Sequence, residues 1–307
     1  TTPAGYKEPT LVHRYSFSEA VGSTAVNDSV GTAHGTVKGQ GAAFDGNGQL
    51  SLPGGTSSDA DPVAGYVDLP NYIISPLTDL SIETWITWEG SGAWQRIFDL
   101  GTSAGGEDVA NGNGNYLFLS PAGGSNLRFS VRDPETGGEP APLTAATPLP
   151  AGQEICLTVV YSHTANLARL YSNAVVVASG AAPVDITTID DVNNWLGRSQ
   201  WADPMFQGKY NEFRIWDGLL LPDRVAANYA AGPDSLEAQP ALAVSAVAGS
   251  IVIAWPASSP FTLESTTALE ATPTWTVVDT SGAVVEGDQK KLTVLPSQAA
   301  TFYRMKK

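Results

Sequence analysis

The sequence predicts an all-β protein with a large domain and a smaller one. Its 307 residues include 31 glycines and 21 prolines spread along the whole chain. A chain rich in turn formers, with few helix formers in register, is typical of many short strands. Several runs alternate apolar and polar residues at period two, the pattern of a strand with one buried face. The length fits one large domain followed by a small one.

The clearest alternation lies in the segment from Asn193 to Asp217. At period two, the side chains in its last part fall on opposite faces of a strand. One face carries Tyr210, Glu212, Arg214 and Trp216, and the other carries Asn211, Phe213, Ile215 and Asp217. A strand of this kind covers a core on one side only, and charged groups that become buried must be paired. We therefore expect a connected polar network at the edge of a sandwich that includes Arg198, Asp203, Glu212 and Arg214.

The first half of the chain predicts an extended arm and then strands separated by turn-rich loops. The arm covers residues 1–10, and the strands are predicted at 11–17, 43–52, 65–70, 81–89 and 94–101. The second of these runs contains Asp-Gly and Asn-Gly pairs, which favour tight turns. Residues 101–115 form a long loop rich in Gly, Asn and acidic residues, and loops of this length are usually functional or mobile.

The second half predicts two hairpins, one helix and a separate small domain of short strands. The hairpins pair 116–121 with 127–133 and 155–162 with 167–180. A short helix is predicted at 220–232, because Pro222 suits an early helical position and Gly232 a terminating one. From residue 241, short strands spaced by turns predict a small β-sandwich with a core of Trp255, Trp275 and Tyr303. The predicted domain bounds are 1–10 for the arm, 11–233 for the large domain, 234–240 for a linker and 241–307 for the small domain.

The charge balance excludes two classes of partner. Lys and Arg total 16 against 31 Asp and Glu, a formal charge of −15. Residues 1–236 hold 11 basic and 25 acidic residues and residues 237–307 hold 5 and 6, so the acidity belongs to the large domain. Nucleic acid and anionic membranes need a basic face, so we expect neither as a partner. No apolar run is long enough to span a membrane, so we expect no membrane insertion.

Seven segments carry a family resemblance, and they follow one another in this order: LVHRYSFSE, NDSVGTAHGTV, AFDGNGQLSL, GYVDLP, LSIETWITW, GAWQRIFDLG and LGRSQWADPMFQGKYNEFRIWDGLL. Together they resemble the laminin-G-like jelly-roll domains of secreted bacterial proteins, over residues 9–233. The resemblance implies a two-sheet antiparallel jelly-roll sandwich of the concanavalin A-like type, in a secreted or cell-surface protein. Residues 241–307 resemble a small fibronectin-III-like sandwich. Such a fold alone does not fix the function.

The resemblance also implies a structural calcium ion. Laminin-G-like sandwiches often hold one Ca²⁺ between an N-terminal loop and the last strand, and the matching positions here are Asp28, Asp45 and Glu212. Calcium prefers several oxygen ligands of this kind. The alternative is that Asp28 and Asp45 are turn residues and that Glu212 pairs with an arginine. Asp59 and Asp61 form a second pair of carboxylates, for which a solvated loop is the simpler interpretation.

Three segments carry the residue types that bind sugars. A sugar packs its C–H face on an aromatic ring and exchanges hydrogen bonds with amides, carboxylates and guanidinium groups. The candidate ligand-binding residues are Trp201, Gln200, Asp203, Trp94, Gln95, Asn113 and Tyr116. The alternative for Trp94 and Asp203 is a structural role, as it is for Arg96 and Asp99, which the resemblance places in the framework.

Catalytic motifs are weak or missing. Sandwich glycoside hydrolases need a pair of carboxylates across a cleft, and no such motif is present. GTSAG at 101–105 matches the G-x-S-x-G pattern, but the nucleophile elbow needs a following helix and a distant histidine. Cys156 lies in an apolar run and is expected to be a buried thiol.

We therefore expect a secreted, non-catalytic module that binds a polysaccharide or glycan and holds a structural calcium. The runner-up is a structural or adhesive subunit that assembles with itself or with surface proteins. The arm at residues 1–10 and the exposed edge strands would mediate this assembly, because an unpaired edge accepts a strand from a neighbour. A glycoside hydrolase or lyase is the third interpretation.

Overall fold

The computed structural model divides the chain into two compact units, Thr1–Asp234 and Ser235–Lys307. It describes residues 8–60, 63–133, 135–235, 242–247, 249–257, 262–268, 274–287, 289–295 and 300–306. The predicted linker after Ser235, most of the predicted arm, and Asp61 lie outside the described residues. Across its described residues the large unit is all-β apart from one helix and one 3₁₀ turn. No helix in the described part of the chain is long and apolar enough to cross a bilayer.

The described residues of the large unit form sixteen strands. Their bounds in chain order are β1 Thr10–Tyr15, β2 Ala25–Val26, β3 Gly35–Lys38, β4 Ala43–Phe44, β5 Leu50–Gly55, β6 Tyr66–Leu69, β7 Asp79–Trp88, β8 Phe98–Gly101, β9 Tyr116–Gly123, β10 Asn126–Val131, β11 Leu143–Thr144, β12 Glu154–Ser162, β13 Leu167–Ser172, β14 Val175–Gly180, β15 Asn193–Leu196 and β16 Met205–Asp217. A 3₁₀ turn covers Ile186–Thr188, and the helix α1 covers Pro222–Ala231.

These strands form two eight-stranded antiparallel sheets. The first sheet has the order β14-β13-β12-β7-β16-β5-β4, with β1 also paired to β16, and the second has the order β11-β10-β9-β8-β15-β6-β3-β2. One large apolar core draws side chains from both sheets, such as Ile82 and Phe213 from the first and Leu100 and Leu119 from the second. The predicted all-β sandwich is confirmed, and so are the hairpins β9–β10 and β12–β13–β14.

The long strand β16 differs from its predicted pattern in two ways. A bulge between Tyr210 and Glu212 shifts the register against β7. A bulge adds one residue to one strand and changes which face the following side chains take, so Tyr210 joins Phe213 and Ile215 in the core. The other face of the strand is also buried, because Glu212 and Trp216 lie under further residues of the chain. The prediction that one face alone is covered is therefore wrong.

The covering layer on the first sheet includes α1. The helix has Pro222 in its first turn and ends at Gly232, whose φ of 84° is in the left-handed region that glycine tolerates. Val225 of α1 packs with Trp216 and Leu220 in a second apolar cluster. The helix thus seals the outer face of β16, where the sequence pattern predicted solvent.

The part of the small unit that the structure describes forms two short sheets. Its strands are β17 Ala243–Val247, β18 Ser250–Pro256, β19 Thr262–Thr266, β20 Thr276–Val277, β21 Val284–Glu286, β22 Gln289–Val294 and β23 Phe302–Lys306. They pair in the orders β17-β18-β22-β21 and β20-β19-β23. Trp255 lies in the core and Tyr303 packs against it, as predicted. Trp275 is half-buried outside that core cluster, with the guanidinium of Arg304 4.2 Å from its ring centroid.

Candidate functional site

A cleft of about 210 Å³ lies over the outer face of the second sheet. Leu117 and Leu119 of β9 point into the core, so the alternating residues Tyr116 and Phe118 point away from it. Loops from three parts of the chain complete the cleft. Its lining residues are Trp94, Arg96, Tyr116, Arg132, Glu139, Trp201 and Asp203.

Arg96 joins the walls of this cleft. Its Nη2 donates to Asp203 Oδ2 at 2.8 Å, its Nε to Asp99 Oδ2 at 3.2 Å and its Nη1 to the carbonyl oxygen of Trp94 at 2.6 Å. The guanidinium also lies 4.2 Å from the ring centroid of Phe118. A planar guanidinium satisfies several acceptors at fixed angles. Arg96 is therefore a positioning residue that fixes Trp94 and Asp203 on the cleft.

The buried carboxyl group of Asp99 contacts Arg96 but does not itself line the cleft. Its Oδ2 accepts hydrogen bonds from the backbone N–H of Gln200 at 3.0 Å and from Arg96. Burial raises the pKa of Asp99 to about 7, against the opposing charge of Arg96. Burial, together with the charge of Asp99, also raises the pKa of Tyr116 to about 12. The loop between β15 and β16, which contains Gln200, is thus tied to β8 through one carboxyl group.

Two tryptophans form the aromatic walls. Trp94 is 37% exposed and has a left-handed backbone with φ 63°. Trp201 is half-buried, and its Nε1 donates to Tyr116 Oη at 2.5 Å. A Cβ on Gly112 would lie 2.5 Å from the Trp201 ring, so only glycine permits this close approach. Trp94 is therefore the more accessible ring, whereas Trp201 is held by Tyr116 and by the close approach of Gly112.

Two charged residues of the cleft escaped the sequence analysis. Arg132 follows β10 and donates from Nε to the carbonyl oxygen of Gly114 at 2.8 Å. Glu139 lies in the segment between β10 and β11 and pairs with Arg128 at 2.6 Å. The predicted hairpin β9–β10 placed Arg132 near Tyr116, so this residue was within reach of sequence reasoning. Nothing in the local sequence around Glu139 indicated its position.

Three predicted ligand-binding residues lie outside the cleft. Gln95 is buried, where it accepts from Trp88 Nε1 at 2.7 Å and donates to the carbonyl of Met205. Gln200 is also buried, and its amide exchanges hydrogen bonds with Asn193. Both amides are structural, which corrects the prediction that they face a ligand. Asn113 is exposed with φ 54° and does not line the cleft.

The predicted polar network separates into two. Glu212 and Arg214 belong to the first sheet, together with Arg14, whereas Asp203 belongs to the cleft. Arg198 is linked to Asp203 through Ser58, because Arg198 Nε donates to the Ser58 carbonyl at 3.0 Å and Ser58 Oγ donates to the Asp203 carbonyl at 2.9 Å. Arg198 also donates to Tyr66 Oη at 3.0 Å and stacks 4.1 Å from the centroid of the Trp195 ring. A single network was predicted because sequence proximity does not reveal that β15 and β16 lie in different sheets.

Asp28 does not fit a calcium site. One donor to its carboxylate is the His13 ring, with Nδ1 2.7 Å from Oδ2. The other donors are the backbone N–H groups of four residues: Arg14, Val30, Gly31 and Ala33. Calcium ligands must direct free oxygen lone pairs at the ion. Those of Asp28 are directed at N–H donors, so this residue organises its own loop.

The other two predicted calcium ligands also have other partners. Glu212 Oε1 accepts hydrogen bonds from Arg14 Nε and Arg214 Nε, each at 2.6 Å. Asp45 is exposed and accepts hydrogen bonds from the backbone N–H groups of Asn47 and Gln49 in the β4–β5 turn. Among the described residues no group of three His, Cys, Asp or Glu side chains is placed to hold a metal ion. Calcium bound through other oxygens stays a prediction, whereas this ligand set does not fit.

Asp28→Asn should lower the free energy of unfolding by about 2 kcal/mol at pH 7, because the variant loses charged hydrogen bonds. Burial alone would raise the pKa of Asp28, but hydrogen bonds from the backbone of Arg14 and Gly31 and from the His13 ring lower it to about 2. A depressed pKa contributes stability above the unfolded value near 4, and this is lost as the pH falls towards 2. Urea unfolding of the variant and the wild type at pH 7, 5 and 3 measures this loss of stability. An equal deficit at all three pH values would contradict the role of the Asp28 carboxylate.

Asp45→Asn should leave the effect of CaCl₂ on the unfolding midpoint unchanged to within about 1 °C. A ligand raises the midpoint only if it binds the folded state, and the three carboxylates are already paired with protein donors. The measurement is thermal unfolding in EDTA and in CaCl₂ at fixed pH and ionic strength. A smaller rise with CaCl₂ in the variant than in the wild type would contradict this result and restore Asp45 as a calcium ligand.

Fold and cleft define the large unit as a two-sheet jelly-roll sandwich with an aromatic, loop-built cleft on one outer face. A sequence model of the Concanavalin A-like lectin/glucanases superfamily matches residues 59–226, more than half of the chain. The chain therefore belongs to this superfamily, which confirms the resemblance found in the sequence. No curated protein shows a significant match to the chain.

Solved structures share the fold at low sequence identity. Domain 4 of AbnA, an extracellular GH43 arabinanase from Geobacillus stearothermophilus in complex with arabinotriose, is 22% identical with a TM-score of 0.56, and the match covers 72% of this chain and 98% of that one. Trypanosoma rangeli sialidase in complex with 2,3-difluorosialic acid is 13% identical with a TM-score of 0.52, over 75% of this chain and 34% of the sialidase. Likeness at these identities shows the fold alone.

Proposed function

We propose that the large unit is a non-catalytic carbohydrate-binding module, and that the cleft beside Trp94 is its binding site. The observation that carries the proposal is an exposed indole next to charged hydrogen-bonding groups in one cleft. An aromatic ring packs on the apolar face of a sugar, and carboxylate and guanidinium groups bind its hydroxyls. Secretion, which would bring the module to extracellular polysaccharides, belongs to the same proposal.

The two acidic residues of the cleft support a binding role rather than hydrolysis. Glycoside hydrolysis needs one carboxyl group as an acid and a second as base or nucleophile, both free to reach the substrate. Here Asp203 is held by Arg96 at 2.8 Å and Glu139 by Arg128 at 2.6 Å. Hydrogen bonds of this kind fix a carboxylate as an acceptor for hydroxyl groups. Asp203 and Glu139 would therefore select and orient a sugar.

The ligand panel begins with arabinotriose, the oligosaccharide present in the solved arabinanase domain of the same fold. Neutral oligosaccharides from xylan, cellulose and laminarin extend the panel. Oligogalacturonides complete it, because the Nη atoms of Arg132 make no ion pair among the described residues. A guanidinium group binds carboxylates in a bidentate manner, so a preference for the uronates would assign that role to Arg132.

Trp94→Asn should weaken binding of the best panel ligand about ten- to a hundredfold, the loss of about 1.4 to 3 kcal/mol expected for an aromatic anchor. Asparagine tolerates the left-handed backbone at this position, so the loop keeps its shape. Isothermal titration calorimetry measures the affinity. Tyr229→Ala, at an exposed aromatic residue of α1, is the control and should bind as the wild type does. No heat with any ligand for the wild type would refute the proposal.

A structural or adhesive subunit is the second candidate, and the edge strand β14 favours it. Val175 and Val176 at the start of β14 are 65% and 48% exposed, and β14 ends the first sheet. An open edge with apolar side chains accepts a strand from another molecule. Light scattering at increasing protein concentration separates the two candidates. If the particle mass grows with concentration and Val176→Lys suppresses this growth, the result favours the assembly subunit. A mass that stays constant favours the binding module.

A further inference from the structure

A second groove lies in the large unit, between β1 and the loop that follows β6. Its volume is about 500 Å³, and no residue lines both this groove and the cleft beside Trp94. The lining is mostly apolar and includes Val12, Ala33, Ile73 and Leu77, with Tyr72 beside them. No Asp, Glu, Lys or Arg side chain lines it. An uncharged, apolar groove with a few polar groups favours a neutral ligand with an apolar face.

Tyr72 is held out towards solvent by the loop that carries it. It is 57% exposed and has a φ of 60°, which is unfavourable for a bulky side chain. Its backbone N–H donates to the carbonyl of Asp191 at 3.0 Å, and the N–H of Ile74 donates to the Asp191 carboxylate at 2.9 Å. Ile73 and Ile74 are buried in the core. The loop is therefore fixed on both sides of an aromatic ring that remains accessible.

The same combination of features occurs at Trp94. Three aromatic residues among those described have a left-handed backbone: Phe17, Tyr72 and Trp94. Phe17 is buried, whereas the other two are exposed and each lines a cavity. Backbone conformations of this kind persist where the surrounding structure enforces them, and they cluster at ligand-binding sites. The parallel indicates that both rings are presented for contact with a ligand.

Two polar groups complete the groove. His13 Nδ1 bonds to the Asp28 carboxylate at 2.7 Å, so Nε2 is the ring nitrogen left for a ligand. Asn71 Nδ2 donates to Glu107 Oε1 at 2.8 Å, which leaves its Oδ1 as an acceptor. Hydroxyl groups of a sugar can donate to both. Aliphatic peptide side chains would satisfy neither group.

We propose that this groove is a second carbohydrate subsite, in which a neutral sugar packs on Tyr72 and bonds to His13 and Asn71. The class of ligand rests on the proposed function, but the site does not, because the two clefts share no residue. Two sites on one domain bind a long polysaccharide more tightly than either site binds a single sugar, because the second contact becomes intramolecular.

The test is a calorimetric titration with arabinotriose, or with the panel oligosaccharide that binds the wild type most tightly. The wild type should bind two molecules per chain. Tyr72→Asn should weaken one of the two sites more than tenfold and leave the other unchanged, and Trp94→Asn should do the reverse. Asparagine suits the left-handed backbone at both positions, and equal unfolding midpoints verify that the variants are folded.

The possible failures are distinct. One bound molecule per chain, lost in Trp94→Asn and kept in Tyr72→Asn, overturns the second subsite and leaves the proposed function intact. Two bound molecules that both survive Tyr72→Asn also overturn it, because the second molecule then binds elsewhere. No binding of any panel oligosaccharide to the wild type overturns the proposed function and the subsite together. A single bound molecule lost in Tyr72→Asn alone supports the groove and refutes the cleft beside Trp94.

Discussion

Arg214→Met should lower the free energy of unfolding by about 3–5 kcal/mol at pH 8. Arg214 is 1% exposed, and its guanidinium pairs with Glu212 at 2.6 Å and lies 3.9 Å from Glu83. It also donates to the carbonyl of Pro233 at 2.6 Å, which fastens the segment after α1 to the sheet. Methionine fills the volume of the aliphatic stem without the charge. Loss of Arg214 removes the cation beside Glu83 and leaves Glu212 paired with Arg14 alone.

The pH dependence of this loss identifies its cause. Burial raises the pKa of Glu83 to about 7 and also raises that of Glu212, and the charge of Arg214 opposes both shifts. Without Arg214 both pKa values rise further. A carboxyl group with a raised pKa in the folded state costs stability as the pH rises above its unfolded value near 4.3. The deficit should therefore be larger at pH 8 than at pH 5.

Denaturant unfolding of the variant and the wild type at both pH values measures the deficit. Lys209→Met is the matched control, because Lys209 is an exposed cation on the same strand. Its replacement should change stability by less than about 0.5 kcal/mol. Equal losses in the two variants, or a larger deficit at pH 5, would contradict the role of Arg214 as the counter-ion of a buried carboxylate pair.

The sequence was sufficient for the fold and insufficient for the faces of its strands. Alternation located the hairpins, and Pro222 and Gly232 bounded the helix. The bulge before Glu212 could not be predicted, because it depends on pairing with β7, a strand more than a hundred residues earlier. The burial of the outer face of β16 was also hidden, since a covering helix leaves no mark on the strand that it covers.

The candidate site was predicted in part. Exposed aromatic residues next to charged groups identified Trp94, Trp201 and Asp203, which the fold brings into one cleft. The two glutamines were misassigned because an amide with internal partners has the same sequence as one that faces a ligand. Tyr72 was missed for a different reason. Its exposure follows from a left-handed backbone enforced by Asp191, and no local residue pattern encodes that contact.

Arg96→Met should lower the free energy of unfolding by about 3–5 kcal/mol and weaken sugar binding more than tenfold. Arg96 is buried and bonds to Asp99, to Asp203 and to the carbonyl of Trp94. Its loss leaves the Asp99 carboxyl group without its cation and removes the hydrogen bond to the backbone at Trp94. The first change destabilises the domain, and the second releases the aromatic wall of the cleft. Urea unfolding and calorimetric titration measure the two effects separately.

Arg96→Lys separates the charge from the geometry. Lysine keeps the positive charge near Asp99 but has a single ammonium group, so it cannot reproduce the planar set of contacts to Asp99, Asp203 and the Trp94 carbonyl. Stability should therefore recover by at least half, whereas binding should stay weak. If the lysine variant bound sugar as tightly as the wild type, the position of Trp94 would not depend on Arg96. If it were as unstable as the methionine variant, the stability of the domain would depend on the planar contacts rather than on the charge.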